Sequence, residues 1–188
     1  HTVRKNALKR FESDGFPTKK DELWKYTSLK SIIQKDYSLS VKSNPNVGLK
    51  DIEKYSINDT DSYKIVFVDG VFNPFLSNTT HDGMDICVLS AALSKTKYKK
   101  TITKYFNKIV PDDQSLASLN TSYTKEGAYI HIPKSVLPED PVQILHFSSG
   151  KNKPLWLQPR NIIIVEENAR VEIICLLYTS DAADESVC

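Results

Sequence analysis

Histidine and cysteine are the side chains in this sequence best suited to metal binding or nucleophilic chemistry. His131 and His146 lie in two short apolar runs, fifteen residues apart and with no cysteine nearby. A metal site needs three or four converging ligands, so this spacing favours a structural or surface role for each histidine. Cys87 lies between Ile86 and Val88, where a lone cysteine is expected to act as a small buried hydrophobic residue.

The sequence contains none of the short motifs that bind phosphate, dinucleotides or zinc, or that present a serine nucleophile. Glu166 and Glu167 are the notable carboxylate pair near the apolar β-runs, and they precede Asn168-Ala169, which is typical of a turn. We therefore expect two exposed turn residues rather than an acid/base pair. The sequence predicts no catalytic, cofactor-binding or metal-ligating residue and no enzyme activity.

A basic stretch runs from Lys95 to Lys108 without an acidic residue, and aromatic residues interleave with its lysines. One interpretation is a helix that contacts the phosphates of a nucleic acid. The interpretation we favour is a solvated helix face with buried aromatics, because the net charge of +2 gives no reason to expect a nucleic-acid or membrane partner. The lysines are Lys95, Lys97, Lys99, Lys100, Lys104 and Lys108.

Each of the two tryptophans could anchor a protein partner. Trp24 lies among apolar residues at helical spacing, which favours a place in the core. Trp156 follows Pro154 and Leu155 in a loop region, so an interface role and a packing role both stay open.

Length and composition indicate one folded domain, or one domain plus part of another. The chain has 188 residues, of which 40% are hydrophobic and 26% are charged, so wholesale disorder is excluded. The longest apolar stretches, 162–165 and 173–178, are far shorter than a membrane span of roughly 20 residues. Three cysteines do not form a disulfide framework, which favours a reducing compartment and a cytoplasmic location.

Hydrophobic spacing divides residues 1–126 into short helices and a β-hairpin. Gly15 and Pro17 separate the first helix from the second. Asp69-Gly70 lies between two apolar β-runs, a strong hairpin signal because both central turn residues need a positive φ. The predicted elements are helices over 2–13, 18–33, 90–110 and 112–123, strands over 63–68, 71–72 and 85–89, and one helical turn within the polar stretch 41–61.

The spacing of hydrophobic residues changes at Gly127, after which the helical pattern disappears. Four short β-runs follow, separated by turns rich in proline, at 128–132, 142–147, 161–165 and 170–174. Such runs are compatible with a sandwich, a barrel or a β-solenoid, and four of them cannot complete a barrel or a sandwich. The sequence therefore predicts an α+β chain with a mainly helical region over 1–126 and a β-core that starts at 127–174.

The last residues have a different origin in our interpretation. The string from Cys175 to Glu185, CLLYTSDAADE, matches the translation of a common transposase-type sequencing adapter over eleven consecutive residues. We predict that the natural sequence ends near Ile174 and that residues 175–188 are an artefact, which belongs outside fold reasoning. Because the chain begins at His1 within helix-like sequence, we also expect the true N-terminus to be missing.

Four stretches of the sequence carry a resemblance to a known family. They are GFPTKKDELWKYT at 15–27, VFVDGVF at 66–72, LASLNT at 116–121 with GAYIHIP at 127–133, and PRNIIIVEENA at 159–169. In this order they resemble the SufB/SufD family of scaffold subunits in the SUF system for iron–sulfur cluster assembly. Residues 15–27 look like the N-terminal segment of the SufD branch, and the SufB branch resembles this segment less. The resemblance covers roughly residues 3–174.

The resemblance implies a helical N-terminal region followed by the first rungs of a right-handed parallel β-helix. It also implies a scaffold that acts with SufB and the ATPase SufC, while the full complex handles the iron–sulfur cluster and no nucleic acid or membrane is involved. In the family, the residues that contact SufC and the cluster lie mostly in the C-terminal half, so no position here inherits those roles. The alternatives are a fragment of a β-helix carbohydrate-active enzyme, or a nucleic-acid-binding module that uses Lys95–Lys108.

Overall fold

Short helices and two β-sheets make up the described part of the chain. A computed structural model describes residues 2–39, 47–53, 62–111, 114–149 and 154–179. Two 3₁₀ turns, at Glu22–Trp24 and Pro74–Leu76, add to the regular elements. The helices are α1 (Thr2–Asp14), α2 (Lys30–Ile33), α3 (Leu49–Glu53), α4 (Leu89–Ser94), α5 (Thr96–Tyr105) and α6 (Ser115–Tyr123). The strands are β1 (Tyr63–Val68), β2 (Val71–Phe72), β3 (Asp85–Val88), β4 (Ala128–Ile132), β5 (Val142–Ser148), β6 (Ile162–Val165) and β7 (Ile173–Thr179).

Within these ranges, the strands form a four-stranded sheet in the order β2-β1-β5-β7 and a three-stranded sheet in the order β3-β4-β6. β1 pairs in parallel with β5, β5 with β7, and β4 with β6. The antiparallel partners are β2 on β1 and β3 on β4. In each sheet, the strands on one side come from the region 1–126 and the remaining strands come from the predicted β-core.

The predicted hairpin is confirmed. Phe67 pairs with Phe72 and Val68 with Val71, and the turn residues Asp69 and Gly70 have φ of 51° and 79°. The Asp69 carboxylate is buried and accepts hydrogen bonds from the backbone N–H and the hydroxyl of Ser149, each at 2.8 Å. These bonds fasten the turn to the end of β5, so the hairpin is fixed by a partner far away in the chain.

The main core lies between the two sheets. Its residues come from alternate positions of β1, β3, β4 and β5, as the period of two in a strand requires. The outer faces are buried as well: α4 and α5 cover Tyr129 and Ile162, and Ile52 of α3 packs with β1 and β5. Burial on both faces explains why residues 65–68 of β1 form an unbroken apolar run. The inter-sheet core contains Ile65, Phe67, Met84, Ile86, Ala128, Ile130, Ile132, Val142 and Ile144.

The side chain of Arg160 joins α6 to the segment that leads into β6. Its guanidinium donates to Asn120 Oδ1 at 2.7 Å and to Thr121 Oγ1 at 2.6 Å. Its backbone N–H donates to the Glu126 carbonyl oxygen, which brings this segment against Gly127. A Cβ atom added at Gly127 would lie 1.9 Å from the Arg160 carbonyl oxygen, so this position accepts only glycine.

The continuous helix predicted over 18–33 is wrong. Residues 22–24 form a 3₁₀ turn, α2 is a single turn, and Leu23 and Tyr26 are 85% and 90% exposed. At the start of this stretch, the Thr18 N–H donates to Asp21 Oδ2 at 2.6 Å. A short helix is stable only when its apolar face packs against the rest of the protein. The side chains of Leu23 and Tyr26 are exposed instead.

The other predicted elements agree with the structure to within a few residues, with two differences. The helical stretch over 90–110 is divided into α4 and α5, and α5 ends at Tyr105. The last strand begins at Ile173 rather than at Arg170 and extends to Thr179, beyond the predicted natural end near Ile174. The origin of residues 175–188 stays a prediction, and residues 180–188 lie outside the described part of the chain.

Two further sequence expectations concern larger features. Within the described residues both sheets are open, with too few strands to test the right-handed β-helix, which stays a prediction. Among the helices of the described residues, none has both the length and the apolar content needed to cross a lipid bilayer.

We expect Gly127→Ala to lower the free energy of unfolding by about 2 kcal/mol or more, because a buried clash with backbone has to be relieved by moving strands. Gly48→Ala is the matched control, since its added Cβ meets only Asp51 Oδ2 at 4.0 Å. Urea unfolding of the two variants provides the measurement. Equal losses of stability in both would contradict the close packing at Gly127.

Candidate functional site

The most polar constellation lies on the outer face of the three-stranded sheet. Asp85 of β3 stands opposite His131 of β4 in the antiparallel register. His131 is opposite Ile164 of β6 in the parallel register, which brings Glu166, just beyond the end of β6, to the same side. Three strands therefore position one imidazole between two carboxylates.

Both nitrogens of the His131 ring face carboxylate oxygens. Nδ1 lies 3.4 Å from Asp85 Oδ2, and Nε2 lies 2.9 Å from Glu166 Oε1. Carboxylate oxygens only accept hydrogen bonds, and a neutral imidazole has a single N–H. The two contacts are hydrogen bonds at the same time only if each ring nitrogen carries a proton.

Neighbouring donors hold the two carboxylates in their ionised form. Burial acts to raise the pKa of Asp85, but hydrogen bonds from the Tyr98 hydroxyl at 2.6 Å, from Lys97 and from His131 outweigh it and lower the pKa. The pKa of Glu166 is lowered by the hydrogen bond from His131 and by the Lys134 backbone N–H at 3.0 Å. Neither carboxyl group is therefore poised to release a proton near neutral pH.

This arrangement can clamp strands together, and it lacks the features of a metal or acid/base centre. The His131 nitrogens are occupied by carboxylates on opposite sides, so the three groups do not converge on one point. In the described ranges, no group of three or more histidine, cysteine, aspartate or glutamate side chains could hold a metal ion. Cys87 is half-buried and burial raises the pKa of its thiol, which disfavours the reactive thiolate.

The outcome for the sequence-predicted residues is mixed. Glu166 and Glu167 are exposed at a turn, as expected, but sequence reasoning missed the contact between Glu166 and His131. It also missed Asp85 and Tyr98, because the pairing of β3 with β4 cannot be deduced from spacing along the chain. The period of two placed Asp85 on a face of β3 and His131 on a face of β4 without saying which strands were neighbours, and Tyr98 lies on α5.

The basic stretch has the geometry of a solvated helix face, as favoured from the sequence. Tyr98 and Ile102 of α5 are buried, and all six lysines are exposed. Lys97 donates to the Asp85 carboxylate, and the Lys95 and Lys104 ammonium groups lie over the rings of Tyr98 and Tyr105.

Trp156 packs within the chain. Its ring makes edge contacts with Phe16 at 6.3 Å and Tyr37 at 5.0 Å between centroids, and its backbone N–H donates to the Ser38 carbonyl. Trp24 was predicted for the core and is only half-buried.

A second feature is a largely apolar cavity of about 460 Å³ at one end of the space between the sheets. His146 of β5 contributes to its wall, and its ring stacks on Phe67 with centroids 4.8 Å apart and planes 12° from parallel. His146 is 9% exposed, its Nε2 has no hydrogen-bond partner among the described residues, and burial lowers its pKa to about 4. We call this space the apolar cavity; it is lined by Leu39, Phe67, Gly70, Val71, Phe72, Val88, Ser90, Tyr123, Lys125, Glu126, His146, Trp156, Leu157, Gln158, Pro159 and Leu177.

We expect Asp85→Asn to lower the free energy of unfolding by about 1 kcal/mol at pH 7, a value reduced from that of a buried ionic hydrogen bond because water reaches the carboxylate. Asp85 has a lowered pKa when folded, so its contribution is present above the ordinary pKa of 3.8 and is lost as the pH falls through the folded value. Asp82→Asn, at an exposed position nearby, is the control. Denaturant unfolding at pH 7 and pH 3 measures the difference, and a loss that persists undiminished at pH 3 would contradict this account.

The buried neutral ring of His146 predicts a second pH dependence. Its pKa falls from 6.5 to about 4 on folding, so the unfolded chain binds the proton more tightly. Stability is complete above pH 6.5 and declines by about 3 kcal/mol as the pH falls toward 4. His146→Phe keeps an aromatic ring beside Phe67 and should abolish this part of the decline. If the free energies of unfolding of the two proteins fell in parallel between pH 7 and pH 4.5, the histidine would not be buried in its neutral form.

Comparison with known proteins adds a family to this geometry. The family model described as "SufBD protein N-terminal region" matches residues 1–144 of this chain. The iron–sulfur cluster assembly SufBD family protein slr0076 of Synechocystis is 26% identical over 170 residues, which are 90% of this chain and 37% of that protein. A second such protein of Synechocystis, slr0074, is 28% identical over 135 residues, which are 67% of this chain and 27% of that protein.

The chain therefore spans about a third of the length of the curated relatives that it matches. The family match covers more than three-quarters of its residues and includes the hairpin, α5, α6 and β4. From this match we conclude that the chain belongs to the SufBD family.

Proposed function

We propose that this chain is the front part of a non-enzymatic scaffold subunit in the SUF machinery, which assembles iron–sulfur clusters and passes them to apo-proteins. Family membership supports the proposal, and both matched relatives carry iron–sulfur cluster assembly in their names. The cluster is cargo of the full complex rather than a ligand of the residues described here. The subunit acts in the cytoplasm with SufB and the ATPase SufC.

The observation that carries the scaffold proposal is the alternation of strands between the two sheets. From β4 onward, successive strands go to opposite sheets. β6 pairs in parallel with β4, and β7 pairs in parallel with β5, so each of these two strands joins the strand two places earlier. Repeated parallel stacking of this kind is what builds a β-solenoid, in which each rung buries its neighbour. Parallel crossover connections are almost always right-handed, which supports the right-handed β-helix expected from the sequence.

The ladder of side chains that faces the inter-sheet core supports an open-ended stack. Ile86, Ile130 and Ile163 are neighbours across β3, β4 and β6. Ile86 and Ile130 are 7% and 0% exposed, whereas Ile163 on the outermost strand is 43% exposed. Val165 continues the row beside Ile132 and is 46% exposed. We propose that the next strand of the full-length protein pairs with β6 and covers this apolar edge.

The polar chemistry of the chain is compatible with a scaffold. Hydrogen bonds from neighbouring side chains and backbone lower the pKa of both Asp85 and Glu166. The two groups therefore do not form the free carboxylate pair that a glycoside hydrolase requires. We assign the subunit to the SufD branch rather than the SufB branch because residues 15–27 resemble the SufD segment more closely.

Co-purification tests the function. The full-length protein from the recovered gene should retain SufB and SufC from the same organism at the salt concentration of the cytoplasm. A full-length protein that folds but binds neither subunit would contradict the scaffold proposal. Salt-dependent retardation of DNA or RNA in a gel would instead favour the nucleic-acid alternative for Lys95–Lys108.

The proposed solenoid has its own test. Ile163→Lys should change the stability of the 188-residue chain little, because the side chain is at an open edge. In the full-length protein the same change should cost about 2 kcal/mol or more, since it would bury an unpaired ammonium group. Leu137→Lys, at a site 65% exposed outside the sheets, is the control for both proteins. An equal effect of Ile163→Lys in the two proteins would show that no further rung covers β6.

A further inference from the structure

A groove of about 490 Å³ runs along the outer edge of β6, and we call it the edge groove. The four residues of β6 line one side of it. The other side is a wall formed by the end of α5 and the chain that follows, at residues 105–107, 109 and 110. Ile109 on this wall is 79% exposed, and Ile163 and Val165 of β6 are 43% and 46% exposed. Exposed apolar side chains beside the edge of a strand are typical of a site where another strand pairs.

The backbone of β6 offers hydrogen bonds to the edge groove. At its two ends, the N–H groups of Arg160 and Glu166 donate to carbonyl groups on the β4 side, so the even-numbered residues of this stretch face β4. Successive residues of a parallel strand turn their backbone groups to opposite neighbours. The N–H and C=O groups of Ile163 and Val165 therefore point away from β4. Within the described residues β6 is the outermost strand of its sheet, so these groups point toward the groove.

Hydrogen bonds hold the wall of the groove in place. Asn107 has a φ of 56°, and its side-chain oxygen lies 2.8 Å from the hydroxyl of Thr121 on α6. The same hydroxyl accepts a hydrogen bond from the guanidinium of Arg160, which also lies over the ring of Phe106 at 5.6 Å. Because Arg160 belongs to the segment that leads into β6, these contacts fix the wall relative to the strand. A preformed groove binds a segment with a smaller loss of conformational entropy than a mobile one.

Apolar side chains flank this edge on both faces of the sheet. On the inner face, Ile163 and Val165 continue the rows of the inter-sheet core. On the outer face, Ile162 and Ile164 belong to the cluster beneath α4 and α5, and Phe106 of the wall packs against the same cluster. A strand beside β6 would thus meet apolar neighbours on both of its faces, the situation that favours an unbroken apolar run.

We propose that the edge groove holds the first strand that follows β7 in the full-length protein, and that this strand packs its outer side chains against Phe106 and Ile109. The inference rests on the proposed solenoid and adds that the helical region covers the incoming strand from outside. The strand pairs in parallel with β6 and is apolar on both faces. Most of the length of the curated relatives lies outside this chain, and the parallel ladder from β4 to β6 continues toward the groove.

The first test is amide hydrogen exchange at β6, compared between the 188-residue chain and the full-length protein. The amides of Ile163 and Val165 should exchange roughly a hundredfold more slowly in the full-length protein, because a paired strand edge opens only rarely. Ile162 and Ile164 donate toward β4 in both proteins, so their amides are the internal control.

The second test measures the burial of the wall. The thiol introduced by Ile109→Cys should react quickly with a maleimide in the 188-residue chain and roughly tenfold or more slowly in the full-length protein, because reactivity follows exposure. Phe75→Cys, at a position 92% exposed on the other sheet, is the matched control and should react equally in both proteins. Both substitutions are at exposed positions, so folding is preserved, and peptide mapping separates each new thiol from the other cysteines.

The two tests distinguish a failure of this inference from a failure of the proposed function. If the amides of Ile163 and Val165 exchange equally in both proteins, no strand pairs with β6, and the proposed solenoid fails together with the inference. If these amides are protected but Ile109→Cys reacts equally in both proteins, the solenoid stands and the role of the wall is overturned. Slow labelling without amide protection would show that the groove holds something other than a strand, which also overturns the inference.

Discussion

The mutual burial of the two β-sheets is the constraint on which the rest of the structure depends. Ile65, Ile130 and Ile144 have no exposed surface, and they come from β1, β4 and β5, of which β1 is far from the other two in sequence. Apolar area removed from water is the main favourable term in folding, so the register that aligns these side chains also determines where every neighbouring residue points. A shift of one residue in β4 would move its apolar row to the outer face.

The two histidines in the β-strands show how this register determines the surroundings of a side chain. His131 shares the outer face of β4 with Tyr129, where it meets carboxylates from two neighbouring strands. His146 lies beside Phe67 on the inner face of β5, where burial lowers its pKa to about 4. The same side chain therefore joins neighbouring strands in one place and is a neutral, buried ring in the other.

The N-terminal region has a structural role that its helical appearance conceals. Its strands β1, β2 and β3 form the first edge of each sheet, and the antiparallel strands β2 and β3 are outermost there. In the proposed solenoid they would act as the cap that protects the first rung from pairing with other chains. The opposite edge has no such cover in the described residues, where Ile163 and Val165 are each more than two-fifths exposed. This asymmetry agrees with a chain that spans about a third of its relatives.

Local rules of sequence determined the turn at Asp69-Gly70, the strands around Ile65 and Ile130, the exposed lysine face of α5 and the resemblance to the SufBD family. Each of these depends on neighbours along the chain or on the period of an element, so it can be predicted without knowing what packs against it. Tertiary structure alone decided that residues 18–33 form no long helix, that Asp85 and Glu166 enclose His131, and that Nε2 of His146 has no partner. Those outcomes depend on which strands pair and which surfaces meet, and residues that are 35 or 46 positions apart become neighbours only once the sheets have formed.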